Sequence, residues 1–236
     1  MSKDTMHFVL HSGGLDSSVL LHLLANTYAP AWVHSLSINY GQRHSKETAI
    51  ASAFAGNLLI AHSEISLPRD LLAGHVLTDP DAAMPNASYE ELPEGVSPTY
   101  VPFRNGMMLS LLAAFAQSYL VRRKLEHGII YFGAHAEDAE RSAYPDCTPE
   151  FAKAMAVAVT IGTYGMVDVN APFIHDTKAD IVRSGHAIGT DFAATWSCYK
   201  GDEFHCGTCP TCRARKGAFM AAGVADPTIY QEPGEV

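Results

Sequence analysis

Four cysteines near the end of the sequence have the spacing of a metal site. They are separated by seven, two and two residues: Cys198, Cys206, Cys209 and Cys212. Four thiolates in so short a stretch match a tetrahedral structural zinc site, and Gly207 and Pro210 favour tight turns between the ligands. An iron–sulfur cluster is the main alternative, and disulfides are a weaker one because cytosolic thiols stay reduced. With four sulfur ligands no coordination position stays open, so we expect the metal to have a structural role.

A second chemical feature is the string Ser-Gly-Gly-Leu-Asp-Ser-Ser at residues 12–18. Glycines let the backbone approach a phosphate closely, and serine hydroxyls add hydrogen-bond donors. An aspartate among phosphate ligands requires a cation, so Asp16 indicates Mg²⁺. The string lacks the Gly-Lys-Ser/Thr of a Walker loop, and its simplest alternative is an ordinary strand–helix turn.

The elements around this string would position it for anion binding. Residues 7–10 form an apolar run typical of a buried strand, and residues 15–24 carry apolar side chains at helical spacing. A turn between them points successive backbone N–H groups and a helix N-terminus at one spot, which favours anions. The sequence therefore predicts a phosphate-binding turn here.

Strands and helices alternate along the rest of the chain. The remaining predicted strands are residues 32–38, 59–65, 129–132 and 167–169, and the remaining predicted helices are 44–59, 104–127, 150–164 and 176–186. We expect Gly128 to end the third helix and Asp176 to open the last. Such alternation predicts an α/β protein with a doubly wound parallel sheet covered on both faces.

The chain divides into a large and a small part. We assign residues 1–190 to a nucleotide-binding domain and residues 191–236 to a C-terminal, partly helical segment that holds the cysteines and packs on it. Residues 66–101 contain five prolines and no clear periodicity. We interpret them as a loop on the substrate side of the domain.

Composition excludes several classes of protein. The chain has 236 residues, 47% of them apolar, which allows one substantial core with a small appendage. A net charge of −9 without a Lys/Arg cluster predicts no direct nucleic-acid binding. The longest apolar run, residues 107–116, is too short to cross a bilayer, and residues 1–6 lack the apolar stretch of a signal peptide. We therefore expect a cytoplasmic protein.

The motifs, taken in order, resemble a known family. Ser-Gly-Gly-x-Asp-Ser after the first strand is similar to the pyrophosphate loop (PP-loop) of the N-type ATP pyrophosphatases. Together with the C-terminal cysteines it resembles the 7-cyano-7-deazaguanine synthase (QueC) family. Further matching segments cover nearly the whole chain: Asn-Tyr-Gly-Gln-Arg-His at 39–44, Val-Pro-Phe-Arg-Asn at 101–105, Tyr-Pro-Asp-Cys at 144–147, Thr-Lys-Ala-Asp at 177–180 and Thr-Trp-Ser-Cys-Tyr at 195–199. Phe103 departs from the family pattern, in which glycine is commoner.

The resemblance implies an adenine nucleotide alpha hydrolase-like fold and an ATP-dependent ligase. The implied reaction converts 7-carboxy-7-deazaguanine and ammonia to 7-cyano-7-deazaguanine, in queuosine-type biosynthesis of 7-deazapurines. ATP is cleaved to AMP and pyrophosphate, and AMP passes first to the carboxylate and then to the amide. Mg²⁺ with ATP, one structural Zn²⁺ per chain and a homodimer are implied as well.

The resemblance also assigns roles to individual residues. The implied ATP-binding residues are Leu10, His11, Ser12, Gly13, Gly14, Leu15, Asp16, Ser17, Ser18, Val19 and Leu20. The implied catalytic residues are Asp16, Lys178 and Arg104, and the implied substrate-binding residues are Arg43, His44, Asp138, Tyr144 and Asp146. Tyr100, Phe103 or Tyr144 could stack on the ring. The simpler interpretations are a solvated helix-start lysine for Lys178, a capping ion pair for Arg104, and turn residues in the loops.

Two other functions remain open. A related PP-loop enzyme could adenylate a different acid, base or protein, although a thiolase is disfavoured because only Cys147 is left for redox chemistry. A zinc-knuckle module that binds nucleic acid is disfavoured by the acidic balance and by the intact string at residues 12–18. Whether the product enters tRNA or DNA is not indicated by the sequence.

Overall fold

A computed structural model of the protein describes residues 5–42, 46–68, 71–72, 74–79, 82, 97, 99–139, 144–200 and 203–231. The strands are β1 (Thr5–Leu10), β2 (Val33–Asn39), β3 (Ala61–Ser66), β4 (His127–Tyr131) and β5 (Val167–Asn170). The helices are α1 (Leu15–Thr27), α2 (Lys46–Asn57), α3 (Arg104–Arg123), α4 (Ala136–Ala139), α5 (Pro149–Gly162), α6 (Lys178–Ala187) and α7 (Pro210–Ala222). Among these helices, none combines the length and the apolar character that crossing a membrane would require.

The five strands form one parallel sheet in the order β3-β2-β1-β4-β5. The central strand β1 is in register with both neighbours, so that Phe8 lies beside His34 of β2 and Ile130 of β4. After β1, the chain adds β2 and β3 on one side of it, and then β4 and β5 on the other side. The carboxyl ends of β1 and β4 therefore flank the point at which the strand order reverses, where open α/β sheets bind their ligands.

Helices cover both faces of the sheet. On one face, α1, α2, α6 and α7 enclose a core that includes Val19, Phe54, Ile181 and Phe219. On the other face, α3 and α5 enclose a second core that includes Leu109, Leu112, Ile130 and Val159. Burial on both faces explains why consecutive β1 residues are apolar. The predicted α/β class with a doubly wound parallel sheet is confirmed.

Two predicted helix boundaries were wrong. The third helix ends at Arg123, because Lys124 adopts left-handed backbone angles (φ 58°) and the chain turns directly into β4. Gly128 lies inside that strand, where a Cβ would come within 2.9 Å of the Phe8 ring. The last helix of the first 190 residues begins at Lys178, with a capping box formed by Thr177 and Asp180.

The predicted substrate-side loop at residues 66–101 lies largely outside the described residues. Of its described part, Leu77 is buried and packs with Ile38 and Tyr40 at the end of β2 and with Val101 before α3. This small core joins the segment before α3 to the carboxyl edge of the sheet.

Candidate active site

A cleft of about 240 Å³ lies at the carboxyl edge of the sheet. Its walls come from the residues that follow three strands, with Ser12 after β1, Tyr40 after β2 and Phe132 after β4. Trp196 and Tyr199 from the C-terminal segment complete it. The cleft thus occupies the position where a parallel sheet of this topology binds ligands.

The turn between β1 and α1 is held in shape by its own serines. The Ser12 backbone N–H donates to Ser17 Oγ (3.2 Å), the Gly14 N–H donates to Ser12 Oγ (3.3 Å), and Ser17 Oγ donates to the Gly14 carbonyl (3.2 Å). Gly13 has a φ of +77°, and a Cβ there would lie 2.8 Å from the backbone oxygen of Glu47. Among the described residues, no side chain caps the N-terminus of α1. An uncapped helix start that faces a cleft is a ready anion site.

The predicted ATP-binding stretch is split by the fold. Those of its residues that line the cleft are Leu10, His11, Ser12, Gly14, Leu15, Asp16 and Ser17. Ser18, Val19 and Leu20 are buried instead, and the Ser18 hydroxyl is hydrogen-bonded to His11 Nε2 (3.0 Å). Gly13 contributes through the shape of the turn.

A buried ion pair lies opposite the turn. Lys178, the first residue of α6, donates to Asp16 Oδ2 at 3.0 Å. Burial alone would lower the pKa of Lys178, but the carboxylates of Asp16 and Asp138 outweigh it and raise that pKa. Burial would likewise raise the pKa of Asp16, and Lys178 with His135 lowers it. Both partners are therefore charged at neutral pH.

The second carboxylate oxygen of Asp16 is left over. Oδ1 is buried and has no hydrogen-bond partner among the described residues. A buried polar atom of this kind needs a ligand. A carboxylate oxygen beside an anion-binding turn fits a hard divalent cation such as Mg²⁺, so the residues present match the predicted magnesium.

Arg104 also lines the cleft. It is the first residue of α3, and it is hydrogen-bonded to the Tyr40 side chain. Burial tends to lower the pKa of Arg104, but Tyr40 and Tyr199 raise it well above the usual value. The described lining of the cleft therefore includes two cationic side chains, Lys178 beside Asp16 and Arg104 beside the tyrosines.

The predicted substrate-binding residues have different positions. Asp138 and Tyr144 line the cleft, and Asp138 Oδ2 lies 3.4 Å from His135 Nε2. Asp146 is buried outside the cleft lining and accepts a hydrogen bond from the Asn105 backbone N–H (2.9 Å). Arg43 and His44 lie outside the described residues.

The aromatic residues that line the cleft were largely missed by the sequence-based prediction. Tyr40, Trp196 and Tyr199 line it, whereas Phe103 has more than half of its surface exposed. Of the three predicted stacking residues only Tyr144 lines it, and its hydroxyl is bonded to Thr99. Tyr40, Trp196 and Tyr199 belong to the family-matching segments at 39–44 and 195–199. Those segments could have identified them as residues of the cleft.

The four cysteines form a cluster that could hold a metal ion. Their sulfur atoms all lie within 4.8 Å of one another. The N–H groups of Lys200 and Cys206 donate to Cys198 Sγ (3.4 and 3.3 Å), and those of Thr208 and Cys209 donate to Cys206 Sγ (3.4 and 3.3 Å). Such donors stabilise the thiolate form that metals require.

His205 is positioned by its neighbours and does not belong to the cluster. Its Nε2 accepts from the Ser197 backbone N–H (3.0 Å), and its ring packs on Trp196 at 4.3 Å between centroids. The Trp196 backbone N–H in turn donates to the carbonyl of Gly13 (2.9 Å). The cysteine segment is thereby tied to the phosphate-binding turn.

These features define a class of enzyme. An uncapped serine–glycine turn after the first strand, with its lysine supplied from a distant helix, is the arrangement of the PP-loop nucleotide-binding α/β proteins.

Comparisons with known proteins agree with this class. A family model described as "Queuosine biosynthesis protein QueC" matches residues 6–223. A 7-cyano-7-deazaguanine synthase from Hahella chejuensis is 41% identical over 224 residues, which are 94% of this chain and 91% of that protein. One from Thermoplasma acidophilum is 40% identical and covers 95% of this chain and 91% of its own. A solved structure of a predicted tRNA methyltransferase subunit from Methanocaldococcus jannaschii is 18% identical and covers 78% of this chain and 74% of its own, with a TM-score of 0.49. The chain belongs to the QueC family of queuosine biosynthesis enzymes.

Proposed function

We propose that the protein makes 7-cyano-7-deazaguanine from 7-carboxy-7-deazaguanine and ammonia, with cleavage of two ATP to AMP and pyrophosphate. The observation that carries this proposal is the Asp16–Lys178 pair, which faces an uncapped phosphate-type turn in a cleft shared with aromatic side chains. The turn suits a triphosphate, and the aromatic side chains suit a flat heterocycle.

The chemistry uses the same activation twice. The substrate carboxylate attacks the α-phosphorus of ATP and pyrophosphate leaves, which gives an acyl adenylate. Ammonia displaces AMP and yields the amide. The amide oxygen is then adenylated by a second ATP, and loss of AMP with two N–H protons forms the nitrile. Each stage depends on alignment of the reactants and on neutralisation of phosphate charge.

The residues beside the turn have complementary roles. Ser12, Gly14 and Ser17 bind the phosphates through their hydroxyl and backbone N–H groups. Lys178 stays charged beside Asp16 and is placed to neutralise phosphate charge as the adenylyl group is transferred and pyrophosphate leaves. The free Oδ1 of Asp16 would hold Mg²⁺, which neutralises phosphate charge when it is bound.

Asp138 and Tyr144, which both line the cleft, recognise the deazaguanine ring. Asp138 accepts hydrogen bonds from the ring N–H or amino group, and Tyr144 contributes to the wall. Asp146 acts indirectly, because its carboxylate fixes the start of α3 and thereby the position of Arg104. Arg43 and His44 are retained as proposed substrate contacts on the family resemblance.

The metal of the cysteine cluster is proposed to be a single structural Zn²⁺. Four sulfur donors that converge from one loop support this assignment, as does the supply of N–H donors to the sulfurs. Metal analysis that found one zinc and no iron per chain would separate this proposal from an iron–sulfur cluster. A homodimer, a cytoplasmic location and the absence of direct nucleic-acid binding belong to the same proposal, the last supported by the net charge of −9.

The test is a product assay with the full chain. The purified protein is incubated with ATP, Mg²⁺, ammonium and 7-carboxy-7-deazaguanine, and the base is followed by mass spectrometry alongside AMP and ADP. We expect the nitrile, with two AMP formed for each nitrile and no ADP. If AMP were released with a different acid and not with 7-carboxy-7-deazaguanine, the protein would be an adenylating enzyme with another substrate. Release of ADP would contradict the PP-loop mechanism.

A further inference from the structure

One carboxyl group on the cleft wall has no role in the chemistry described so far. Glu47 lies in the first turn of α2 and lines the cleft together with Tyr40 and Arg104. Burial raises the pKa of Glu47 to about 7, although the nearby positive charge of Arg104 acts to lower it. The side chain can therefore take up and release a proton at neutral pH.

The other carboxyl groups of the cleft are already paired. Asp16 Oδ2 accepts from Lys178, and Asp138 lies 3.4 Å from His135. The Arg104 side chain is hydrogen-bonded to Tyr40, and its positive charge acts on Glu47.

Two other titratable residues in the described lining of the cleft, His11 and Cys147, are unsuited to proton transfer. His11 uses both ring nitrogens, towards Ser35 and Ser18 at 3.0 Å each, and burial lowers its pKa to about 3. Cys147 accepts from Asn105 Nδ2 (3.2 Å), and burial raises the pKa of its thiol, which keeps it neutral. Of the groups compared in the described lining of the cleft, Glu47 is the one that can exchange a proton at neutral pH.

Glu47 also lies directly beside the phosphate-binding turn. Its backbone oxygen lies 2.8 Å from the point where a Cβ on Gly13 would sit, so the first turn of α2 packs on the phosphate-binding turn. The same packing places its carboxyl group in the cleft that the turn opens into.

The proposed reaction creates a need for such a group. At neutral pH the nitrogen donor is mostly ammonium, which has no lone pair for attack until it loses a proton. Ammonium gives up two protons in becoming the amide nitrogen, and the amide gives up two more in becoming the nitrile. A positioned base accelerates steps of this kind by roughly 10²- to 10⁴-fold.

We propose that Glu47 is the catalytic base that deprotonates the nitrogen, first of ammonium and then of the adenylated amide. This inference rests on the function proposed above. In the first stage the nitrogen forms the C–N bond while the C–O bond to AMP breaks, with its electron pair moving to the phosphate oxygen. Glu47 takes the protons one at a time and returns each to solvent. In the second stage it takes the N–H protons as AMP leaves.

The experiment exchanges the nucleophile. Hydroxylamine is largely unprotonated at neutral pH, and it attacks an acyl adenylate to give a hydroxamate without prior deprotonation. For Glu47→Gln we expect ammonium-dependent amide formation to fall by roughly 100-fold or more. Acid-dependent ATP–pyrophosphate exchange and hydroxamate formation should stay within about threefold of wild type. Glu47→Asp should recover part of the amide rate, since it keeps a carboxylate.

A matched control is available in another helix. Glu150 lies in the first turn of α5 and is exposed outside the cleft, so Glu150→Gln should leave both products unchanged. Equal amide rates for Glu47→Gln and wild type would overturn the proposal. So would a parallel loss of amide and hydroxamate, since that result indicates a binding or structural role. If wild type itself showed no exchange with this acid, the proposed function would fail instead.

Discussion

The phosphate-binding turn and the cysteine cluster are both short polar loops, but they are completed in opposite ways. The turn depends on distant parts of the chain, because Lys178 comes from α6, and Asp16 Oδ1 has no hydrogen-bond partner in the part of the chain that the structure describes. The cluster draws all four sulfurs and their N–H donors from a short C-terminal stretch, between Cys198 and Cys212. An open site suits ligands that exchange in every cycle, whereas a closed one suits a permanent ion.

The contrast can be tested because the two regions touch. Trp196 donates its backbone N–H to Gly13, and the buried side chain of Arg215 donates to Thr195 and Ser197 on either side of Trp196. A change in the cluster should therefore affect stability first and reach the turn through this contact.

The largest effect is expected from loss of the metal. Cys209→Ser removes a ligand whose metal stabilises the whole C-terminal segment, so we expect the melting temperature to fall by about 10 °C or more. Activity that remains at low temperature should be altered far less than stability. Cys147→Ser, outside the cluster, should keep the full metal content. A variant that kept its melting temperature and lost all activity would contradict a structural role.

The second effect concerns the open site. Lys178→Met removes the cation that faces Asp16 and the phosphates, so we expect AMP formation to fall by roughly 10²- to 10³-fold. Rates of AMP release under saturating ATP would measure it, with Lys153→Met on the exposed side of α5 as the control. An unchanged rate would show that the turn binds phosphate without this lysine.

A third change loosens the contact between the regions. The Arg215 side chain is fully buried and donates to Thr228 (2.6 Å), Thr195 (2.9 Å) and the Phe192 carbonyl (2.9 Å). Arg215→Met should cost about 3 kcal/mol, because it leaves these buried acceptors unpaired. Urea unfolding would measure the loss. Arg213→Met, on the exposed face of the same helix, should cost under about 0.5 kcal/mol.

The smallest effect is a pH dependence that arises beneath the turn. Burial lowers the pKa of His7 and His34 to about 4 and that of His11 to about 3. Since the unfolded chain takes up these protons near pH 6.5, stability is complete above that pH and is lost as the pH falls towards 4.

At about pH 5 the loss should be roughly 2 kcal/mol for each of these histidines. His7→Gln should shrink the difference in unfolding free energy between neutral and acid solution by about that amount. His186→Gln, on an exposed position of α6, should not. Comparing variants with wild type cancels any acid effect on the metal cluster, which all of them share.

The sequence predicted the parts of the molecule that depend on local pattern. The alternation of apolar strands and periodic helices identified the parallel sheet, and the cysteine spacing identified the cluster, because both are encoded in neighbouring residues. The helix end at Arg123 was missed since Lys124 takes a left-handed conformation that glycine usually signals.

The direction of individual polar side chains could not be predicted in this way. Asp146 was expected in the substrate pocket, yet its carboxylate faces the Asn105 N–H outside the cleft lining. Glu47 received no role, although it lines the cleft. Both are acidic residues in or beside family-matching motifs, so their sequence context is similar. The packing of α2 places Glu47 in the cleft, and the packing against the start of α3 holds Asp146 outside the cleft lining.

The bond between Trp196 and Gly13 has a consequence for how the protein is made. The turn is synthesised near the beginning of the chain. Trp196, whose backbone N–H donates to the Gly13 carbonyl of the turn, is synthesised near the end. With the proposed zinc site, a nascent chain on the ribosome would therefore carry an unfinished turn until the cysteine segment had emerged and bound zinc. Scarcity of the metal during translation would then limit the yield of competent enzyme, whatever the supply of ATP.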